Sequence, residues 1–187
     1  MTVDKPKLAD PLGVIRAGHL PERTVSICLA LDLVEEYEEL ERALGAAQGE
    51  EASPFVAGPA AEIQQQMDDL REQMQAATVA IRLRALARPR FNSLKREHPP
   101  RKDEDGAPMA EDRLLRINTE TFFEPLLRMS IVDPVLDEPT FRMLIDERLT
   151  DAQFEQLTDV AWFLNVRRID IPFSSAASSK TTNSDSE

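Results

Sequence analysis

Two histidines, one cysteine and several runs of acids are the residues with which this chain could do chemistry. His19 and His98 lie far apart in sequence, and neither has a partner at metal-ligand spacing. A zinc site needs three or four converging ligands, and neither a Cys-x-x-Cys nor a His-Glu-x-x-His pattern is present. Cys28 falls among apolar neighbours, where a thiol behaves as a small hydrophobe; a nucleophilic thiolate needs cationic, accessible surroundings. Asp103-Glu104-Asp105-Gly106 has the acidity of a calcium loop but lacks its alternating oxygen ligands and closing glutamate, so it reads as a solvated loop. Glu35, Glu36, Glu38, Glu39 and Glu41 share an exposed helix face, and a charge run of this kind reads as a solvated surface. There is no glycine-rich phosphate loop and no Gly-x-Ser-x-Gly elbow. The expectation is a protein without catalytic residues, metal or cofactor, whose work is done by surfaces.

Those surfaces are acidic. The formal charge is -12 and the isoelectric point about 4.7. Binding nucleic acid requires clustered Lys and Arg against phosphate, so this balance argues against it and favours a cationic or helical protein partner. A lone cysteine excludes an internal disulfide and suits a reducing compartment. No apolar run approaches the roughly 20 residues that span a bilayer, and residues 1–20 lack the apolar segment of a secretory signal. Arg82, Arg84, Arg88 and Arg90 form a basic cluster that could meet acids of another copy or pair locally with the glutamate face. Phe55-Val56, apolar in a loop, could anchor a partner or tuck against their own helices.

Periodicity supplies the scaffold. Residues 1–23, broken by Pro6, Pro11, Gly13, Gly18 and Pro21, read as a flexible arm. Residues 24–98 read as one unit of strand, helical hairpin, strand and helix. Thr24–Leu31 alternates, with Val25, Ile27, Leu29 and Leu31 on one face. Asp32 and Glu35 then resemble a capping box, and Leu33, Tyr37, Leu40 and Leu44 make a helical stripe that should stop near Gly45 and Gly49. After a Gly/Pro loop, Ile63, Met67, Leu70, Met74 and Ala77 stripe a second helix, antiparallel to the first. Thr78–Leu86 alternates again, so the two strands can pair as an antiparallel ribbon at the hairpin's base. A lone ribbon is marginal, so it must pack on other elements or another chain. Pro89 opens a short helix ended by Pro99-Pro100. Residues 99–113 read as a charged linker and residues 114–173 as a helical cluster. Its capping boxes are Thr121/Glu124 and Thr150/Gln153, and Pro139 starts a further helix. Residues 174–187 are Ser/Thr-rich and should be disordered. The fold class is α+β, mainly α: a helical hairpin with a small antiparallel ribbon, then a C-terminal helical cluster and a disordered tail.

The order of certain segments carries a family likeness over most of residues 24–178. They are Ser26-Ile27-Cys28-Leu29 entering Asp32-Leu33-Val34-Glu35, Arg82-Leu83-Arg84-Ala85-Leu86, Glu97-His98-Pro99-Pro100, and Asn118-Thr119-Glu120-Thr121-Phe122. Trp162-Phe163-Leu164-Asn165 and Asp170-Ile171-Pro172-Phe173-Ser174 complete the set. In this order the chain resembles the tail assembly chaperones of long-tailed, siphovirus-type actinobacteriophages. The resemblance implies a nonstructural factor that coats the long helical tape measure protein, several copies per partner, and keeps it soluble until tail-tube subunits polymerise around it. It implies action in the host cytoplasm and absence from the mature virion. It also implies a longer form of the same protein made by programmed frameshifting near the end of the gene.

A chaperone of that kind could cover apolar stripes on a long helix through a groove. Phe122, Leu126, Phe141, Phe154 and Trp162 are the candidate lining, with Phe55 and Val56 as further anchors. The same residues could instead be the core of the helical cluster. Two rivals remain: an acidic inhibitor or DNA mimic that binds a basic host protein, and a structural tail or head–tail protein retained in the particle.

Overall fold

A computed structural model describes residues 10–50 and 59–168. Phe55, Val56, residues 1–9 of the expected arm and the expected tail at 174–187 lie outside the described residues. The architecture is mainly helical with a small antiparallel sheet.

The chain does not run as an arm up to residue 23. Pro11–Ala17 forms a helix, α1, capped by the Asp10 carboxylate, which accepts hydrogen bonds from the Leu12 and Gly13 N–H groups. Pro11 occupies the first turn, where a missing N–H and a fixed φ favour a helix rather than break one.

Strand β1 is Glu22–Cys28 and β2 is Thr78–Arg84, antiparallel, with Val25 opposite Ile81 and Ile27 opposite Val79. The expected two-stranded ribbon gains a third strand: β3, Ile131–Asp133, pairs antiparallel with β2. One face of the sheet is core, with Val25, Ile27, Ile81 and Leu83 buried. The other face is polar: Glu22 bonds Arg84 and sits near Arg82, which also approaches Asp133. The basic cluster is thus paired in part, and locally. Its partners are acids of the neighbouring strands rather than the glutamate face, because cross-strand neighbours are the closest side chains on a pleated surface.

The hairpin consists of α2, Leu31–Glu50, and α3, Pro59–Ala76. Asp32 lies inside the first turn of α2 and does not precede it. Gly45 does not end the helix. A glycine stops a helix by taking positive φ, and here it stays helical in open space, followed by Ala46 and Ala47.

Helix α4, Arg88–Glu97, begins at its proline as expected. The segment 99–113 is not a linker. Met109 N–H donates to the Arg101 carbonyl, and α5, Ala110–Arg113, carries the fully buried Asp112. Its acidic tip is a closed turn in which the Asp103 carboxylate accepts from the Asp105 and Ala107 N–H groups, with Gly106 at φ 77°. That backbone region is readily open only to glycine.

Helix α6, Thr119–Ser130, starts two residues before the expected box, because Asn118 caps it and the Thr121 hydroxyl bonds the His98 ring instead. Pro125 therefore lies inside the helix. Helix α7, Glu138–Met143, is capped by Asp137 and runs into a π-helical turn at Leu144–Arg148. Helix α8, Asp151–Val166, opens on the expected capping box of Thr150 and Gln153. Replacing Thr150 by alanine should cost about 1 kcal/mol, seen as a fall in melting temperature of roughly 2–4 °C.

One core joins what the sequence divides. Ile27 and Leu83 of the sheet, Phe91 of α4, Phe122 and Leu126 of α6, and Leu157 of α8 all belong to a single buried cluster.

Candidate protein-binding surfaces

The residues nominated as a groove divide into two groups. Phe122 and Leu126 are 0% exposed and Phe141 is 1% exposed. They are core, and a partner could reach them only by opening the fold. Phe154 and Trp162 are half-buried, packed against that core. Trp162 lies at 5.9 Å from the Phe122 ring and 5.8 Å from Phe91, both measured between centroids. The long apolar stripe of α6 is therefore satisfied within the chain. Periodicity identifies the apolar face of a helix but not which neighbour covers it.

The hairpin is different. At about 1.5 Å per residue, α2 is roughly 30 Å long. Its helices pack chiefly on each other. Met67 and Leu70 of α3 are buried between them, at 2% and 6% exposure. On α2 no described side chain reaches that degree of burial: Leu33, Val34, Tyr37, Leu40 and Leu44 are all only half-buried. Two helices can bury one seam between them, and the flanks of that seam stay partly open. Arg71 closes part of it by donating to the Tyr37 hydroxyl, with its guanidinium 5.2 Å from the ring centre. Glu35, Glu36, Glu38, Glu39 and Glu41 are exposed around the seam. The arrangement can accept a third helix that brings an apolar stripe edged with Lys or Arg.

A second open surface lies where α8 ends beside the start of β1. Val160, Phe163 and Leu164 floor a groove of about 360 Å³ whose rim includes Arg23, Arg167 and Arg168. Phe163 is 54% exposed. Phe163 adjoins Trp162 in sequence, and adjacency alone does not say which of two neighbouring rings faces solvent. The exposed partner of such a pair is decided by helix rotation over the core.

The buried polar centre of the molecule is Asp112. Its carboxylate accepts from the Arg101 N–H (2.7 Å), Nε (2.9 Å) and Nη2 (2.9 Å), and from the Thr119 N–H (3.0 Å) and hydroxyl (2.8 Å). The Arg101 guanidinium, helped by the Thr119 and Arg101 N–H groups, holds the carboxyl well below the usual range against the opposing effect of burial. Arg101 is pushed up correspondingly and also pairs with Glu120. The carboxylate accepts from five donors, so this is a clamp joining α5, the start of α6 and the segment after α4 rather than an acid or base awaiting a substrate.

His98 is bonded to Thr121 and stacked edge-on against Phe122, and His19 is exposed between α1 and β1. Cys28 is half-buried, its Sγ near the carbonyls of Ala30 and Met74. Among the described residues no three His, Cys, Asp or Glu side chains converge in a way that could hold a metal ion. Among them, too, no helix is long and apolar enough to cross a membrane.

No protein-family model, curated protein or solved structure matches this chain.

Proposed function

We propose that this protein is a tail assembly chaperone of a long-tailed bacteriophage, binding the tape measure protein and keeping it soluble for tail-tube polymerisation. The observation that carries the reading is the hairpin arm. It is a pair of long helices with a half-open apolar seam, set in a ring of glutamates. A tape measure protein presents long helices with apolar stripes, and such a seam takes one by helix-in-groove packing. The charge of -12 would keep the loaded assembly in solution. The order of sequence segments from Ser26 to Ser174 supports the same family. On this reading the protein is not an enzyme. It works in the host cytoplasm as several copies per partner, alongside a longer frameshifted form and the tail-tube protein, and is absent from the finished virion.

Co-expression with the tape measure protein of the same phage tests this. The expected result is a soluble complex that co-purifies. Tyr37→Lys combined with Leu40→Lys should return most of the tape measure protein to the pellet, while helical content is retained. A wild-type chain that leaves the tape measure protein insoluble would sink the proposal. Recovery of only a basic host protein, in a salt-sensitive complex, would favour the inhibitor reading. Detection in purified particles would favour a structural tail protein.

A further inference from the structure

Helix α1 buries none of its side chains. Leu12 is 61% exposed, Val14 59% and Ile15 74%. A helix this short is not held in water by propensity alone, and α1 also carries Gly13 and the β-branched Val14 and Ile15. A short apolar helix of this kind is stabilised by packing onto another surface. Its own domain does not supply one. The Pro21 carbonyl accepts from the Ala85 N–H, which keeps the chain in line with β1, and Gly18 is extended at φ -62°, ψ 136°. The connector Gly18–Pro21 thus carries α1 past the end of the sheet.

That end of the molecule is itself apolar. Leu20 shares a depression with Glu22, and Glu22 in turn lines the groove over Val160, Phe163 and Leu164. Among the described residues nine large apolar side chains are exposed, and six lie here: the three on α1, with Leu20, Phe163 and Val166. A monomer seldom gathers its exposed apolar side chains at one end.

We propose that α1 is an exchange arm, which seats Leu12 and Ile15 in the Phe163 groove of a second copy while that copy's α1 seats in the first. Leu12 and Ile15 lie three residues apart and so share one helix face. Three observations favour a second copy over an unrelated partner. Arm and groove sit at the same end, so a twofold axis beside that end makes both contacts at once. The charges match: α1 has Asp10 at its cap and Arg16 in its last turn, and the groove offers Arg23, Arg167 and Arg168 together with Glu22. The acidic faces also stay apart. The chain enters the sheet from α1 at Glu22 and leaves it for α2 at Cys28, so the Glu35–Glu41 face lies beyond the opposite end of β1. A chain with a charge of -12 can associate with itself only where its acids are kept separate. The exchanged dimer leaves both hairpins free, directed away from the joint.

Sedimentation velocity of the full chain over a wide concentration range tests this, beside an Ile15→Lys variant of the arm and a Phe163→Lys variant of the groove. Both side chains are exposed, so each variant should keep the helical content of the wild type. The proposal expects wild-type dimers that dissociate on dilution, and self-association at least roughly tenfold weaker in each variant. Mixing the two variants is the sharper measurement. The arm of the Phe163→Lys chain is intact, and so is the groove of the Ile15→Lys chain. Together they should associate more strongly than either does alone, and less strongly than the wild type because one of the two joints is broken. A contact of α1 against α1, or of Phe163 against Phe163, gains nothing from mixing. A wild-type chain that stays monomeric at every concentration overturns the proposal. Dimers that survive either substitution, or variants that do not rescue one another, overturn it as well. No other protein is present in this measurement, so its result is independent of the chaperone reading.

Discussion

Phe122→Ala is expected to lower stability by about 3–5 kcal/mol, a fall in melting temperature of about 10 °C. The side chain is 0% exposed, and its ring meets four others: Phe123 at 5.6 Å, Trp162 at 5.9 Å, His98 at 6.0 Å and Phe91 at 6.1 Å, in nearly perpendicular edge contacts. Alanine removes the burial and leaves a cavity that rings anchored on α4, α6 and α8 cannot collapse into without moving their helices. The single tryptophan, Trp162, lies in this cluster, so its fluorescence and the far-ultraviolet circular dichroism should report one coincident transition in urea. Two separated transitions would contradict a single core. The experiment also separates two roles for the residue. A docking anchor truncated to alanine would weaken partner binding with the melting temperature unchanged, whereas a core residue loses both together.

Asp112→Ala is expected to cost a comparable amount, again about 10 °C in melting temperature, because removing the carboxylate leaves Arg101 and the Thr119 N–H without their buried acceptor. Its signature is pH dependence. The folded-state pKa is lowered, chiefly by the Arg101 side chain, from an ordinary carboxylate value near 4. The unfolded chain therefore binds a proton more readily than the folded one in acid. The clamp's contribution is fully present above about pH 5 and is lost as pH falls through the acidic range. Urea unfolding from pH 7 down to pH 3 should show wild-type stability falling with acid, and Asp112→Asn should flatten that slope while lowering stability at pH 7. Equal slopes in the two proteins would mean that Asp112 is not held as a paired carboxylate.

The correspondence between sequence and structure follows the range of the forces involved. Val25 and Ile27, Ile81 and Leu83, and the stripes on α2 and α3 were legible because alternation and a 3.6-residue period are local consequences of backbone geometry. The Thr150/Gln153 box was legible for the same reason, since donor and acceptor lie three residues apart. The start of α6 was misplaced because two local caps compete there, and the long-range bond from His98 to Thr121 draws that hydroxyl away. The short strand Ile131–Asp133 has no period of its own and exists because β2 offers it a partner. The segment 99–113 looked like a linker because its charges read as solvated. Folding brings Arg101 to Asp112 and Thr119, and that makes this charged stretch a hydrogen-bonded joint.

The candidate surfaces divide in the same way. Sequence alone determined the absence of a recognisable catalytic pattern, the strong negative charge, the fold class, and a striped hairpin edged with glutamate, all of which depend on composition or on neighbours a few residues apart. Only the tertiary structure decided that Phe122, Leu126 and Phe141 are core, that the seam of α2 stays half-open, and that Phe163 is exposed in a groove where α8 ends beside the start of β1. An apolar stripe states that a helix must be covered; which element covers it depends on contacts between residues far apart in the chain.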